Sequence, residues 1–199
     1  HRRSSAASDV YKRQLLFLTF TYRLSDMFLG PMAMPFYQEI GFTKLEVAQI
    51  TNFYGMWMTI IGGLFAGLTL HKYGLVRNMI AGAIFVPLAN IPFIFLNILG
   101  KDLNFLIFTI TVDNFSQGFI SVVGITFLSN MVSKTYTATQ YALLFGLVVI
   151  PPNIISSGSG FVVESYGFQN FFILCALLGL PAIIFSLLVW RKRSIFGFD

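Results

Sequence analysis

The chain has 199 residues, 56% of them hydrophobic and 11% charged, and a formal net charge of +5. Its mean hydropathy is +0.75. A water-soluble domain carries about 25% charged residues, so this composition excludes a soluble enzyme and a disordered chain. A single cysteine, Cys175, excludes an intrachain disulfide, and His1 and His71 as the only histidines exclude a histidine-rich metal cluster. No cofactor, metal or enzymatic activity is expected.

His1–Gln14 (HRRSSAASDVYKRQ) is polar and unlike the remainder of the chain, and it is expected to be a non-native or linker segment. Without it nine basic and seven acidic residues remain, a net of +2. The high isoelectric point is then no sign of nucleic-acid binding. The remainder holds six apolar stretches, each near the roughly 20 residues a bilayer span needs. They are Leu15–Tyr37, Glu46–Leu70, Val76–Leu99, Asn104–Val132, Gln140–Val163 and Phe171–Trp190. The joints carry turn chemistry at Gly41-Phe42-Thr43, Lys72-Tyr73-Gly74, Gly100-Lys101-Asp102, Ser133-Lys134 and Tyr166-Gly167. The expected fold is an all-α integral membrane bundle of six helices over 15–193, with a cytoplasmic tail at 194–199.

Basic residues set the orientation. Lys72, Arg77, Lys134, Arg191, Lys192 and Arg193 fall on one side; Lys44 and Lys101 fall on the other, with Glu39, Glu46, Asp102 and Glu164. The first side is expected to be cytoplasmic, which puts both chain ends there. Trp190 is placed as an interfacial anchor.

The second and fifth helices start alike. Phe42-Thr43-Lys44-Leu45-Glu46-Val47-Ala48 matches Tyr136-Thr137-Ala138-Thr139-Gln140-Tyr141-Ala142. Each is a capping box, with Thr43 and Thr137 as N-caps and Glu46 and Gln140 three residues on. The same helices end alike, at Gly67-Leu68-Thr69-Leu70-His71-Lys72-Tyr73-Gly74 and Gly160-Phe161-Val162-Val163-Glu164-Ser165-Tyr166-Gly167. The offsets are 94 and 93 residues. A weaker match sets Arg23-Leu24-Ser25-Asp26 against Asn114-Phe115-Ser116-Gln117. Three helices per copy is an odd number, so the copies have opposite orientations. Such 3+3 inverted repeats are an architecture of secondary transporters.

Three charges lie well within spans, away from their ends: Arg23 and Asp26 in the first, Asp113 in the fourth. Each costs about 2.5–3.5 kcal/mol at a bilayer centre, so such residues usually face a bundle interior or a wet cavity. Arg23 and Asp26 are three apart and can pair, and Asp113 and Gln117 also share a face. Either the Arg–Asp pair only fixes packing, or these residues form a site for solute and a coupling proton, with one carboxylate alternating between charged and neutral forms. Gly30-Pro31 and Pro35 are expected to interrupt the first helix beside this cluster, and Pro151-Pro152 the fifth, as a hinge or as passive kinks. Asn52, Asn90 and Asn153 are expected to bond between helices. The small residues at Gly62-Gly63, Gly67 and Ser156–Gly160 suit close helix contacts. No histidine lies within a span to serve as base to the serine of Gly158-Ser159-Gly160, which argues against an intramembrane serine nucleophile.

Gly67, Lys72 and Gly74 fit the loop motif Gly-x-x-x-Asp-Arg-x-Gly-Arg-Arg of the major facilitator superfamily, with His71 in place of the Asp. Tyr136-Thr137-Ala138-Thr139-Gln140-Tyr141-Ala142-Leu143-Leu144 closely resembles a signature of the AmpG-like muropeptide permeases within that superfamily. Arg23-Leu24-Ser25-Asp26, Pro35-Phe36, Gly41-Phe42, Asp113-Asn114 and Val163-Glu164 with Gly167 resemble further stretches of the same family. The resemblance covers about Leu15 to Arg193 and implies the C-terminal six helices of a twelve-helix fold. It implies proton-driven import of anhydro-muropeptides across the bacterial inner membrane for cell-wall recycling. Arg23, Ser25, Asn114 and Gln117 would then contact solute, and Asp26 or Asp113 would carry the proton. Gly30, Pro31, Pro151 and Pro152 would serve as hinges. The partners would be a muropeptide-like solute, protons, the lipid bilayer and an N-terminal six-helix half. Muropeptide permeases tend to have Gly-Arg where this chain has Pro151-Pro152, which leaves Arg23 as the intramembrane cation of this half. Transport of another solute, such as acetyl-coenzyme A in a related family, and a stand-alone six-helix scaffold are the alternatives.

Overall fold

Glycine turns set the topology. In the computed structural model, which describes residues 21, 23–130, 132 and 137–191, four joints between helices each hold a glycine of positive φ. These are Gly41, Gly74, Gly100 and Gly167, with φ of 97°, 77°, 76° and 74°. Residues with a Cβ rarely adopt that conformation. Gly74 and Gly167, which the internal repeat aligns, also agree in ψ at 172° and 166°. The match at the ends of the second and fifth spans is therefore a match of backbone shape as well as of residue type.

Among the described residues six helical segments result. The first, α1, covers 23–39. The second, α2, comprises Lys44–Ala48, a π-helical turn Gln49–Tyr54 and Gly55–Tyr73. Then come α3 (Leu75–Leu99), α4 (Leu103–Asn130), α5 (Thr137–Ser156) and α6 (Ser159–Arg191). Gly167 breaks α6, so residues 159–166 complete the fifth span and those after Gly167 form the sixth. Among the described residues five helices are long and apolar enough to cross a membrane. Lipid offers the backbone no hydrogen bonds, so helices that satisfy their own are the form expected there.

The capping box at the start of α2 is present: Thr43 N–H donates to Glu46 Oε2 (2.7 Å) and Glu46 N–H to Thr43 Oγ1 (3.2 Å). Lys101 in the α3–α4 joint pairs with the same Glu46 carboxylate at 3.1 Å and sits over the Phe42 ring. This ties two turns at one end of the bundle. The Thr137 box falls largely outside the described residues, which omit Tyr136 and the Thr137 side chain. Lys134, Lys192, Arg193 and the segments 1–14 and 194–199 lie outside them too.

Two large apolar clusters hold the helices, with a smaller one at Ala83 and Ala182 between α3 and α6. One joins Phe28 and Phe36 of α1 with Phe93 of α3, Leu106 and Ile110 of α4, and Phe168, Phe171 and Phe172 of α6. Its rings meet at 4.6–6.3 Å around Phe36, favourable aromatic geometry. The other joins Ala66 of α2, Val76 and Met79 of α3, Phe119, Val123 and Phe127 of α4, and Val189 of α6. α5 contributes to neither.

The closest approach is between α2 and α4, which run parallel. A Cβ at Gly62 would overlap the Phe115 carbonyl, and one at Gly118 would overlap the Thr59 carbonyl. This reciprocal contact is the kind of backbone approach that small residues permit in membranes. Gly67, by contrast, has open space around it. Gly179 of α6 similarly admits Pro87 of α3, whose Cδ would lie 3.1 Å from an added Cβ.

The structure corrects three expectations. α1 is helical through Gly30, Pro31 and Pro35, all three exposed, so each proline ring has room to stand outside the packed face while removing one intrahelical bond. The helix is thus unbroken beside its charges. α5 is likewise helical through Pro151 and Pro152, and the interruption comes later, at Ser157-Gly158. There Ser156 and Ser157 hydroxyls cap the Asn153 and Ile154 carbonyls at 2.8 and 2.6 Å. Asn52 and Asn153 are exposed and make no interhelical bond among the described residues.

Overpacking a tight contact costs about 1–3 kcal/mol. Gly118→Val is therefore expected to lower the thermal midpoint of the purified chain in detergent, and Gly67→Val to leave it unchanged. Equal midpoints for the two variants would contradict the α2–α4 contact.

Candidate functional site

Between the two apolar clusters lies a polar layer. Asp26 of α1, Asn90 of α3 and Asp113, Ser116 and Gln117 of α4 line one small cleft, with Val86, Ala89 and Ile120 as its apolar walls. A helix repeats its facing every three to four residues, which places Asp113, Ser116, Gln117 and Ile120 along one stripe. The two carboxylates thus share a cleft whose described lining holds no cation. Burying two negative charges together is costly, so a proton or a cationic group must accompany them.

Arg23 does not close this gap. Among the described residues the one ion pair is Lys101–Glu46, so the expected Arg23–Asp26 pair is not formed. Arg23 instead lines a neighbouring cleft with Ser121, Gly124 and Leu128 of α4 and Phe145 and Val148 of α5. Ile120 borders both clefts. The polar stripe of α1 therefore presents opposite charges to two adjoining spaces. The basic one lies beside α5, the helix least bound to the rest.

Two expected solute contacts are taken up by packing. Ser25 is completely buried, and its hydroxyl donates to the Cys175 carbonyl of α6 at 2.6 Å. It also accepts from Asn90 Nδ2 at 3.0 Å, and Asn90 gives its other proton to the Val86 carbonyl at 3.0 Å. Ser25 thus ties α1 to α3 and α6 directly behind Asp26. Asn114 turns to α2, where its Oδ1 accepts from Thr59 at 3.1 Å. Its Nδ2 donates to the Ile110 carbonyl at 3.1 Å. Gln117 does line the cleft with Asp113. Asn90 does too, although the sequence placed it only as an interhelical bond.

Of the loop-motif residues, Gly67 is exposed, Lys72 lies over the Tyr73 ring at 5.1 Å, and Gly74 forms the turn. No group of three or more metal-ligating side chains occurs among the described residues.

Ser25→Ala is expected to lower unfolding stability in lipid micelles by about 1 kcal/mol, the net worth of a hydrogen bond whose partner stays buried. An unfolding curve identical to wild type would contradict the tie between α1, α3 and α6.

Residues 15–195 match the profile of the Major Facilitator Superfamily. The chain is 32% identical over 191 residues to "Putative transporter AmpG 4" of Rickettsia felis, covering 94% of this chain and 46% of that protein. It is 31% identical over 191 residues to "Putative transporter AmpG 4" of Rickettsia conorii, with the same coverage. To "Putative transporter AmpG 1" of Rickettsia prowazekii it is 32% identical over 178 residues, covering 89% of this chain and 40% of that protein. The chain spans about half the length of the curated relatives it matches. With its helices, its turns and this match over most of its length, the chain belongs to the Major Facilitator Superfamily, with five described helices long and apolar enough to cross a membrane.

Proposed function

We propose that this chain forms one half of a proton-coupled transporter that imports anhydro-muropeptides across the bacterial inner membrane. The observation that carries the coupling is the cleft shared by Asp26 and Asp113. Two carboxylates without a cation in an apolar bundle bind a proton readily and release it when water enters. Alternating access supplies that change of surroundings. Gln117 and Asn90 line the same cleft and can orient the carboxylates. Arg23, in the adjoining cleft, attracts an anionic group of the solute. Ile120 borders both clefts, and Arg23 acts on Asp26 through its charge without forming an ion pair with it.

The orientation follows the basic residues, which places Lys72, Arg77 and Arg191 at the cytoplasmic face and both ends of the bundle inside. The turn at Ser157-Gly158, rather than the prolines, is the flexible point of the fifth span. The muropeptide assignment is supported by the signature at Tyr136–Leu144 and by likeness to proteins named AmpG. A second half, supplied by the remainder of a relative-sized protein, would close both clefts from the other side.

In the complete transporter, Asp26→Asn and Asp113→Asn are each expected to abolish protonophore-sensitive uptake of labelled anhydro-muropeptide. Wild-type uptake in both variants would remove the coupling role. Arg23→Gln is expected to raise the apparent KM about tenfold or more, as loss of one charge-assisted hydrogen bond does. An unchanged KM would take Arg23 out of solute binding.

A further inference from the structure

We infer that Tyr54, Thr59 and Asn114 are positioning residues that fix the direction of Asp113, and that the π-helical turn of α2 holds them in register. The inference rests on the coupling reading of Asp113. Asp113 and Asn114 are consecutive on α4, so their side chains diverge by about 100°. Asp113 faces the α1 cleft, and Asn114 faces α2. Whatever holds Asn114 therefore sets the roll of α4, and with it the aim of Asp113.

Asn114 is held three ways. Its Nδ2 donates to the Ile110 carbonyl, which fixes the amide so that Oδ1 meets, at 3.1 Å, the Thr59 hydroxyl, whose one proton is shared with the Gly55 carbonyl at 3.0 Å. It also packs on Gly55, where an added Cβ would lie 3.1 Å from Nδ2. One turn earlier the Tyr54 and Thr111 hydroxyls are 2.8 Å apart. Thr111 gives its own proton to the Ile107 carbonyl at 2.7 Å, so Tyr54 is the donor. The Gly62 and Gly118 contacts set how closely the two helices approach, and these side-chain bonds set their angular register.

The π-turn accounts for how α2 reaches every partner at once. Its outer end is pinned by the Thr43–Glu46 box and by Lys101. From Gly55 onward it is pinned to α4. Between them lies Gln49–Tyr54, which closes with Gly55 N–H donating to the Ile50 carbonyl five residues back. An α-helical path would use one residue fewer per turn and rotate Tyr54 by about 100° relative to the outer anchor. The wider turn absorbs that difference.

The chain in lipid nanodiscs can be treated with dicyclohexylcarbodiimide, which modifies carboxyls in apolar surroundings. Mass spectrometry then gives the ratio of modification at Asp113 to that at Asp26. Thr59→Val and Tyr54→Phe are each expected to change the ratio about fivefold, the factor one neutral hydrogen bond commands. Thr59→Ser, which keeps the hydroxyl, is expected to retain the wild-type ratio. Tyr54→Phe removes a single oxygen and carries the test if Thr59→Val does not fold. A wild-type ratio in Tyr54→Phe and in a folded Thr59→Val overturns the positioning role. The labelling needs no solute, so that failure is distinct from failure of the coupling reading, which uptake by Asp113→Asn decides.

Discussion

Two carboxylates share one cleft in the middle of an apolar bundle, and the rest of the structure is organised around holding them there. Such charges are tolerated in a membrane only where they face an interior space. Keeping that space open and aimed requires rigid neighbours. The Ser25–Asn90–Cys175 bonds lock α1 behind Asp26, and the Thr59–Asn114 and Tyr54–Thr111 bonds lock α4 behind Asp113. The aromatic cluster around Phe36 closes one end of the bundle, and the cluster around Phe119 closes the other. The polar layer is thus sandwiched between two packed apolar bodies.

α5 is the exception. It joins neither cluster, and its long apolar side chains Leu143, Leu147, Ile150 and Ile154 are exposed. It still contributes Phe145 and Val148 to the Arg23 cleft. It is followed by the turn at Ser157-Gly158, which separates it from the packed residues of the sixth span.

Features encoded locally were legible in the sequence. The capping box at Thr43, the turns at Gly41, Gly74, Gly100 and Gly167, and the limits of the second to fourth spans depend on a few neighbouring residues. They emerged within about two or three residues of the observed bounds, the usual ambiguity of helix ends. The buried charges were equally plain, because a charge in an apolar run stands out. What depended on register between helices was not legible. Nothing in Gln49-Ile50-Thr51-Asn52-Phe53-Tyr54 signals a π-turn, since its cause lies in two anchors on other segments. The separation of Arg23 from Asp26 was also hidden. Spacing of three permits a pair, but the two side chains line different clefts against α4. Proline was over-read too: α1 and α5 run helical through Pro31, Pro35, Pro151 and Pro152, each of which removes one intrahelical bond without ending its helix.

If the two adjoining clefts serve coupling, solute and proton cross together. The most direct test is proton movement itself. The complete transporter is reconstituted in liposomes with a pH-sensitive dye outside and no imposed gradient, and anhydro-muropeptide is added to the outer medium. Proton symport gives an immediate alkalinisation outside that requires the solute and disappears with a protonophore. Solute accumulation with no change in external pH would contradict it.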